Sequence, residues 1–240
     1  NNWSMATDDG MNLLEPGDNP KDNAQFLVFL TAVIEAVDRY QELLRMSAAK
    51  AGNDHRLGGH EAPPAIISIF LGDQLSDILD ALADGVEGIN KPKEFIEIGV
   101  DSLPKLPKDM TDRNRTSPFA FTGNKFEFRM VGSSASIAGP NVALNTAVAQ
   151  VLSEFAKKLE SSSDLNKTIT EIITKSYKKH KRIVFNGNGY AEAWVKEAKK
   201  RGLSDLKDTV STLPALISDE SIELFDKQKV MTKEELQSRF

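Results

Sequence analysis

The sequence predicts an α+β fold: an antiparallel β hairpin or small sheet packed with helices, followed by a helical extension. Three observations carry that expectation. Residues 115–121 and 125–130 alternate, or nearly alternate, apolar and polar side chains around the short turn Thr122-Gly123-Asn124, which is a hairpin signature. Residues 23–52 and 142–155 place apolar side chains at helical spacing. Beyond residue 161 the pattern changes to separate amphipathic helices joined by short polar or glycine-containing loops.

Taken in order, residues 1–19 are rich in Asp, Gly, Asn and Met and read as loop with one short strand. Asn19-Pro20 has the form of a helix cap followed by proline at the first helical position. From Asn23 the apolar positions Phe26, Leu27, Leu30, Val33, Ile34, Val37, Tyr40, Leu43 and Leu44 predict one buried helix of about eight turns, stopping near Gly52. The apolar segment 65–71 fits either strand or helix and runs into a helix through Ile78, Leu79 and Leu82, ended by Gly85 and Gly88. Residues 90–113, with several lysines and prolines, read as an extended surface connection. In the second hairpin strand Phe126, Phe128 and Met130 share one face, and Lys125, Glu127 and Arg129 the other. After a small-residue loop at 132–139, Pro140-Asn141 precedes a helix that buries Val142, Leu144, Ala147, Val148, Val151, Leu152 and Phe155. Three further helices are expected over 164–181, 190–201 (stopped by Gly202) and 219–227, and residues 236–240 fall in another.

The 240 residues suit one large domain, or one plus a piece, at about 150 residues per domain. With 40% hydrophobic and 27% charged residues, the chain has the composition of a globular protein. A net charge of −5 disfavours proteins that coat nucleic acid or anionic membranes. The absence of cysteine removes disulfides, Cys-ligated zinc and thiol catalysis. The most apolar runs fall far short of the ~20 residues that span a bilayer, and no charged-then-apolar segment opens the chain. A cytoplasmic protein is expected.

The strand face Lys125, Glu127, Arg129 sets a carboxylate between two cations about 7 Å on either side. Such a face is either a solvated, self-neutralised surface or a site for a polyanion with a metal. In the second case Glu127 would be an oxygen ligand for Mg²⁺ or Mn²⁺, with Arg115 on the other strand as a further cation. Residues His55-Arg56-Leu57-Gly58-Gly59-His60-Glu61-Ala62-Pro63-Pro64 make a mobile flap, a metal site, or an ordinary polar turn. They are not a zinc helix, because the glycines and Pro63 argue against helix there. The basic run 175–182, holding Tyr177 and His180, reads as a solvated helix face with His180 structural; Asn186-Gly187-Asn188-Gly189 reads as a turn, not a phosphate loop.

The motifs together resemble one family. Arg56-Leu57-Gly58-Gly59-His60-Glu61-Ala62-Pro63-Pro64-Ala65-Ile66 resembles the substrate flap of glutamine synthetases. Asn114-Arg115-Thr116-Ser117-Pro118 and Lys125-Phe126-Glu127-Phe128-Arg129 resemble the family's arginine and metal-site strands, which come after the flap. The spelling of both is similar to the large bacterial type III enzymes, and Asn1-Asn2-Trp3-Ser4 resembles the segment directly after the family's Gly-Lys-His metal motif. The resemblance covers most of the chain and weakens after about residue 161.

The resemblance implies a role for each matching residue. Glu127 is the metal-binding strand glutamate. Arg129 meets the substrate glutamate and then the acyl phosphate, and Arg115 lies on the transferred phosphate. Arg56 contacts substrate glutamate, Glu61 is the flap glutamate that takes a proton from ammonium, and Lys125 and Ser4 contact nucleotide, as does Arg115. Two positions depart from the family pattern: Ala120 stands where a second hairpin arginine belongs, and His60 stands where a smaller polar or tyrosine-like residue is expected. The hairpin is also shorter than in type I enzymes.

The reaction implied is ATP-dependent joining of ammonia to glutamate through γ-glutamyl phosphate, with Mg²⁺ or Mn²⁺. The enzyme would be a homo-oligomeric ring, a dodecamer, with each active site shared between neighbouring subunits and no nucleic-acid or membrane partner. Residues 1–160 are expected to be the C-terminal portion of the catalytic domain and 161–240 a truncated type III-specific helical region. The chain is expected to be an internal fragment, inactive alone. Alternatives are a γ-glutamyl ligase for another amine, or a non-catalytic assembly module of the same fold.

Overall fold

In a computed structural model the described residues are 1–59, 62–85 and 116–240, with the backbone of two short strands between the last two segments. The elements are β1 (Asn2–Trp3), α1 (Ala24–Arg39), α2 (Gln41–Ser47), α3 (Ala51–Asp54), β2 (Ile69–Phe70), α4 (Asp73–Asp84), β3 (Phe95–Ile96), β4 (Leu106–Pro107), β5 (Phe119–Phe121) and β6 (Phe126–Phe128). They continue with α5 (Ala138–Glu160), α6 (Leu165–His180), α7 (Glu192–Lys200), α8 (Thr209–Thr212), α9 (Asp219–Lys227) and α10 (Lys233–Arg239). The α+β expectation holds: a small mixed sheet is surrounded by helices.

The hairpin is the centre of the sheet. β6 pairs antiparallel with β5 and with β1, and β5 pairs parallel with β2, giving the order β1-β6-β5-β2. Thr122 N–H donates to the Lys125 carbonyl at 2.8 Å, and Gly123 takes the positive φ of 91° that the turn demands. Alternation along β6 sends Phe126 and Phe128 inward, where they meet Phe119 and Phe121 from the partner strand. Phe119 stacks on Phe126 at 4.8 Å, Phe121 meets Phe126 edge-on at 5.2 Å, and Phe26 of α1 closes the cluster against Phe121 at 5.8 Å. Such pairs add to the burial of large apolar area. The segment 65–71, open to strand or helix on its pattern, supplies the strand β2. Its far edge is met from the C-terminal part of the chain: Ile69 bridges Val184, and Phe185 N–H donates to the Ile69 carbonyl at 2.8 Å.

The long helix expected over 23–52 is divided. Pro20 opens a separate short turn, and the true cap is Asn23, whose side chain accepts from Phe26 N–H at 3.0 Å. The helix breaks at Tyr40, where the Gln41 side chain donates to the Asp38 carbonyl at 3.0 Å. A side chain inserted into the backbone ladder is a recognised cause of a kink. Gly52 lies inside α3 and stops nothing; α2 ends at Ala48. Helix α4 ends on left-handed Gly85, as expected. In α5 the expected apolar face is buried except at Val142, which is 39% exposed, and at Leu152, which is partly buried. Helices α6, α7 and α9 match their expected spans to within two residues, with Asp164 and Ser218 capping α6 and α9. The surface connection expected over 90–113 lies outside the described residues except for β3 and β4, which pair antiparallel.

Helix α1 packs on α5 and α6, and polar groups on it are answered across those contacts. Asp38, 3% exposed, accepts from Arg182 Nε at 2.8 Å and pairs with His180 Nδ1 at 2.7 Å. Ser176 donates to Glu35 at 2.6 Å. The lysines of the 175–182 run face solvent while His180 and Tyr177 are buried, so both expectations for that run hold. On α5, burial alone would raise the Glu154 carboxyl, but hydrogen bonds from Arg39 and Gln150 outweigh it and hold the group below its ordinary value of 4.5. A carboxylate with a lowered folded-state pKa adds stability above its unfolded pKa and loses it as pH falls through the folded value. Glu154→Gln is therefore expected to lower Tm at pH 7, with the gap to wild type closing as the pH drops below about 4.5. A gap independent of pH would contradict the pairing.

The Asn186-Gly187-Asn188-Gly189 turn is an anchor. Asn186 Oδ1 accepts from the N–H groups of Leu71 and Gly72, both at 3.1 Å, at the start of α4. Gly189 N–H donates to Thr116 Oγ1 at 2.7 Å, and a Cβ at Gly189 would lie 2.5 Å from the Thr116 carbonyl oxygen. Only glycine fits that approach.

Candidate active site

The strand face singled out in the sequence lies on β6, between two hydrogen-bonded neighbours, so its side chains project from a fixed backbone. Glu127 stands opposite Asn2 of β1 on one side and Ala120 of β5 on the other. Ala120 is fully buried, and Phe70 beyond it is nearly so. The face is thus covered towards β2 and open towards β1, where Asn2 is exposed. Glu127 and Arg129 sit at that boundary, with side chains 22% and 17% exposed.

Arg129 closes on Glu127: Nη2 and Nε both donate to Glu127 Oε2, at 3.0 and 3.1 Å. Its Nη1 also donates to the Ser117 carbonyl at 3.3 Å, at the foot of β5. The guanidinium is thus anchored on two sides, with its Nε/Nη2 fork closed on a carboxylate, the geometry that suits carboxylate and phosphate oxygens. Lys125, expected as the second flanking cation, is half-buried beside the hairpin turn and joins no carboxylate among the described residues.

Arg56 reaches the same strand from the other end. Its Nη2 donates to the Met130 carbonyl at 2.7 Å and its Nε to Asn53 Oδ1 at 2.8 Å. Asn53 is buried and donates to the same Met130 carbonyl at 2.8 Å, and to the Ala48 carbonyl at 3.0 Å. Ser4 lies at the hairpin-turn end, donating to Asn12 at 2.8 Å and to the Asn124 carbonyl at 3.2 Å. The structure therefore strings Ser4 and Lys125, then Glu127 and Arg129, then Arg56 along one strand. From Lys125 to Arg129 this run spans about 13 Å at ~3.3 Å per residue. Glu61, His60 and Arg115 lie outside the described residues.

Asn53 and Ser117 carry no mark in the sequence that would single them out. Asn53 stands three residues before Arg56, one helical turn away, which is the only local signal for it. Ser117 acts through its backbone carbonyl, which no residue pattern reveals.

A divalent metal at Glu127 meets a plain test of donors. Among the described residues no group of three His, Cys, Asp or Glu side chains is placed to hold a metal ion. Glu127 offers hard carboxylate oxygen, of the kind Mg²⁺ and Mn²⁺ prefer. The described residues by themselves fit one ligand position and not a whole site. Nor is any helix among them long and apolar enough to cross a membrane.

The structure thus holds an arginine–glutamate pair on a central strand of an α+β domain, with a second arginine tied to that strand's end. Comparison with known proteins shows what the chain is similar to. Residues 168–240 match the family model of the glutamine synthetase C-terminal domain. Over its whole length the chain is 47% identical to the type-3 glutamine synthetase of Dictyostelium discoideum, covering 33% of that protein. It is 49% identical to a glutamine synthetase of Butyrivibrio fibrisolvens and 43% identical to one of Bacteroides fragilis, covering 34% of each. Over its whole length the chain is homologous to proteins named glutamine synthetase, the type-3 form among them. It spans about a third of the length of the curated relatives it matches.

Proposed function

We propose that this chain supplies part of the active site of an ATP-dependent glutamate–ammonia ligase, which makes glutamine through γ-glutamyl phosphate. The observation that carries this reading is the anchored Glu127–Arg129 pair with Arg56 tied to the same strand, in a chain similar throughout to proteins named glutamine synthetase.

Arg129 holds the side-chain carboxylate of substrate glutamate and then the oxygens of the acyl phosphate, and Arg56 holds the substrate at the strand's other end. Arg115 stabilises the phosphoryl group in transfer, and Ser4 and Lys125 contact the nucleotide. Glu61 accepts a proton from ammonium, releasing ammonia to attack the acyl carbon and expel phosphate. Phosphoryl transfer asks the protein for charge stabilisation and positioning more than for covalent help, which suits a site built of arginines. Glu127 contributes one ligand to a Mg²⁺ or Mn²⁺ ion completed by residues outside those described; when bound, the ion neutralises phosphate charge. Ala120 leaves the place of a second hairpin arginine without a cation.

In this reading residues 1–160 belong to the catalytic domain and 161–240 to a type III-specific helical region. The enzyme is cytoplasmic and forms a ring-shaped homo-oligomer, a dodecamer, whose sites are shared between subunits. The 240 residues alone are expected to form no glutamine.

An amine panel tests the substrate class. The full-length enzyme, given ATP and glutamate, is expected to consume ammonia in preference to polyamines and aromatic amines. Preference for a larger amine would replace this assignment with a different γ-glutamyl ligase.

A further inference from the structure

One polar corner between the C-terminal helices and the rest of the molecule lies beside α2 and α3. Asp54, at the end of α3, accepts from Thr209 twice: from its backbone N–H at Oδ2, 2.8 Å, and from its hydroxyl at Oδ1, 3.0 Å. Thr209 opens α8, in the stretch that matches the C-terminal family model. Arg45 of α2, with its side chain 2% exposed, reinforces the joint. Its Nε donates to the Leu206 carbonyl at 2.8 Å, its Nη2 to the Lys207 carbonyl at 3.3 Å, and Nη2 lies 3.6 Å from Asp54 Oδ1.

The residue next to Asp54 faces the other way. Asn53 holds the Met130 carbonyl at the end of β6 and accepts from Arg56 Nε. Helix α3 has only four residues, too few to be stable on helical bonding alone. Its orientation therefore depends on what its side chains grip. On one side it grips β6 and Arg56; on the other it is gripped by Thr209 and by Arg45, which the carbonyls of residues 206 and 207 hold in turn.

We propose that Thr209, with Arg45, is a positioning residue for substrate binding: the C-terminal segment fixes the α3 corner through Asp54, and the corner fixes the direction of Arg56. This rests on the reading of Arg56 as a contact to substrate glutamate. It gives the C-terminal helices a role in the reaction without any of them touching substrate. The coupling runs through adjacent residues of one short helix, so its effect falls on the substrate that Arg56 holds and spares the nucleotide at the far end of the strand.

The test uses the full-length enzyme and measures KM for glutamate and for ATP separately, together with Tm. Thr209→Val removes the hydroxyl donor and keeps the shape and the N–H; Thr209→Ser keeps the donor. Thr209→Val is expected to raise KM for glutamate about 3- to 10-fold, the worth of one hydrogen bond, with KM for ATP within about twofold. Thr209→Ser is expected to restore the wild-type value. Arg45→Lys, which loses the fork to Leu206 and Lys207, is expected to shift the same constant in the same direction. Arg56→Lys, measured in parallel, separates the positioning role from the substrate contact. A raised glutamate KM in Arg56→Lys with none in Thr209→Val or Arg45→Lys overturns the positioning role alone. An unchanged glutamate KM in all three overturns the reading of Arg56 and the positioning role with it. Equal shifts in both KM values, tracking a loss of Tm, also overturn it, because they mark a merely structural contact.

Discussion

Replacing Arg129 by alanine in the full-length enzyme is expected to lower kcat by about 10²- to 10³-fold, the loss typical of removing one donor that stabilises developing negative charge. The expectation comes from the side chain's anchoring. Arg129 is held by Glu127 on one side and by the Ser117 carbonyl on the other, so its guanidinium is preset and little reorganisation is needed as substrate charge develops. Arg129→Lys keeps the charge but supplies a point donor in place of a planar fork. It is expected to recover only part of the rate. A kinetic defect confined to KM, with kcat intact, would show that Arg129 binds ground state and transition state equally, and would remove it from the chemical step.

The largest stability effect is expected at Trp194. Its side chain is buried to 1% exposure, stacks on Phe185 at 3.7 Å, and lies under the Arg201 guanidinium at 5.4 Å. Truncating a buried tryptophan to alanine costs about 3–5 kcal/mol. Trp194→Ala is therefore expected to lower Tm markedly or to prevent folding of the C-terminal helices. Trp194→Phe separates packing from hydrogen bonding. The indole N–H is buried and has no partner among the described residues, so phenylalanine gives up volume without breaking a hydrogen bond to them. It is expected to retain more than half of the stability lost in the alanine variant. Equal losses in the two would contradict a packing origin for the stabilisation.

Much of this architecture can be read from the chain, and the unread parts have physical reasons. The hairpin is local: its alternation and its glycine turn lie within about fifteen residues, and the strands form inside the expected spans, though each is only three residues long. Helices α6, α7 and α9 are likewise marked by their own periodicity and end signals. The sheet's outer strands are different, because β1 joins β6 across more than a hundred residues and each edge strand is only two residues long. Pairing of that kind has no local signature. The break at Tyr40 is hidden for another reason: no proline or glycine marks it, and the apolar spacing continues through it. At the break a glutamine side chain is bonded to a carbonyl three residues earlier, a contact that the spacing of residue types does not announce.

The site divides in the same way. The charged face of β6 is visible as period-two alternation, but alternation does not decide which cation closes on Glu127; Arg129 does so and Lys125 does not. Asn53, which orients Arg56, is one asparagine among many, and its importance appears only when Met130 is brought beside it from 77 residues away. The Asn186 to Gly189 turn is legible as a turn. Its grip on Thr116 and on the start of α4 depends on tertiary approach and is not.

Whether the β6 carboxylate serves a metal-dependent ligase can be measured directly. Glutamine formation by the full-length enzyme is followed while Mg²⁺ or Mn²⁺ is titrated, for wild type and for Glu127→Ala. With Glu127 as a metal ligand, Glu127→Ala is expected to lose turnover, and no concentration of either ion is expected to restore it to the wild-type level. A kcat near wild type with an unchanged metal requirement would refute the assignment of Glu127 and the site built around it.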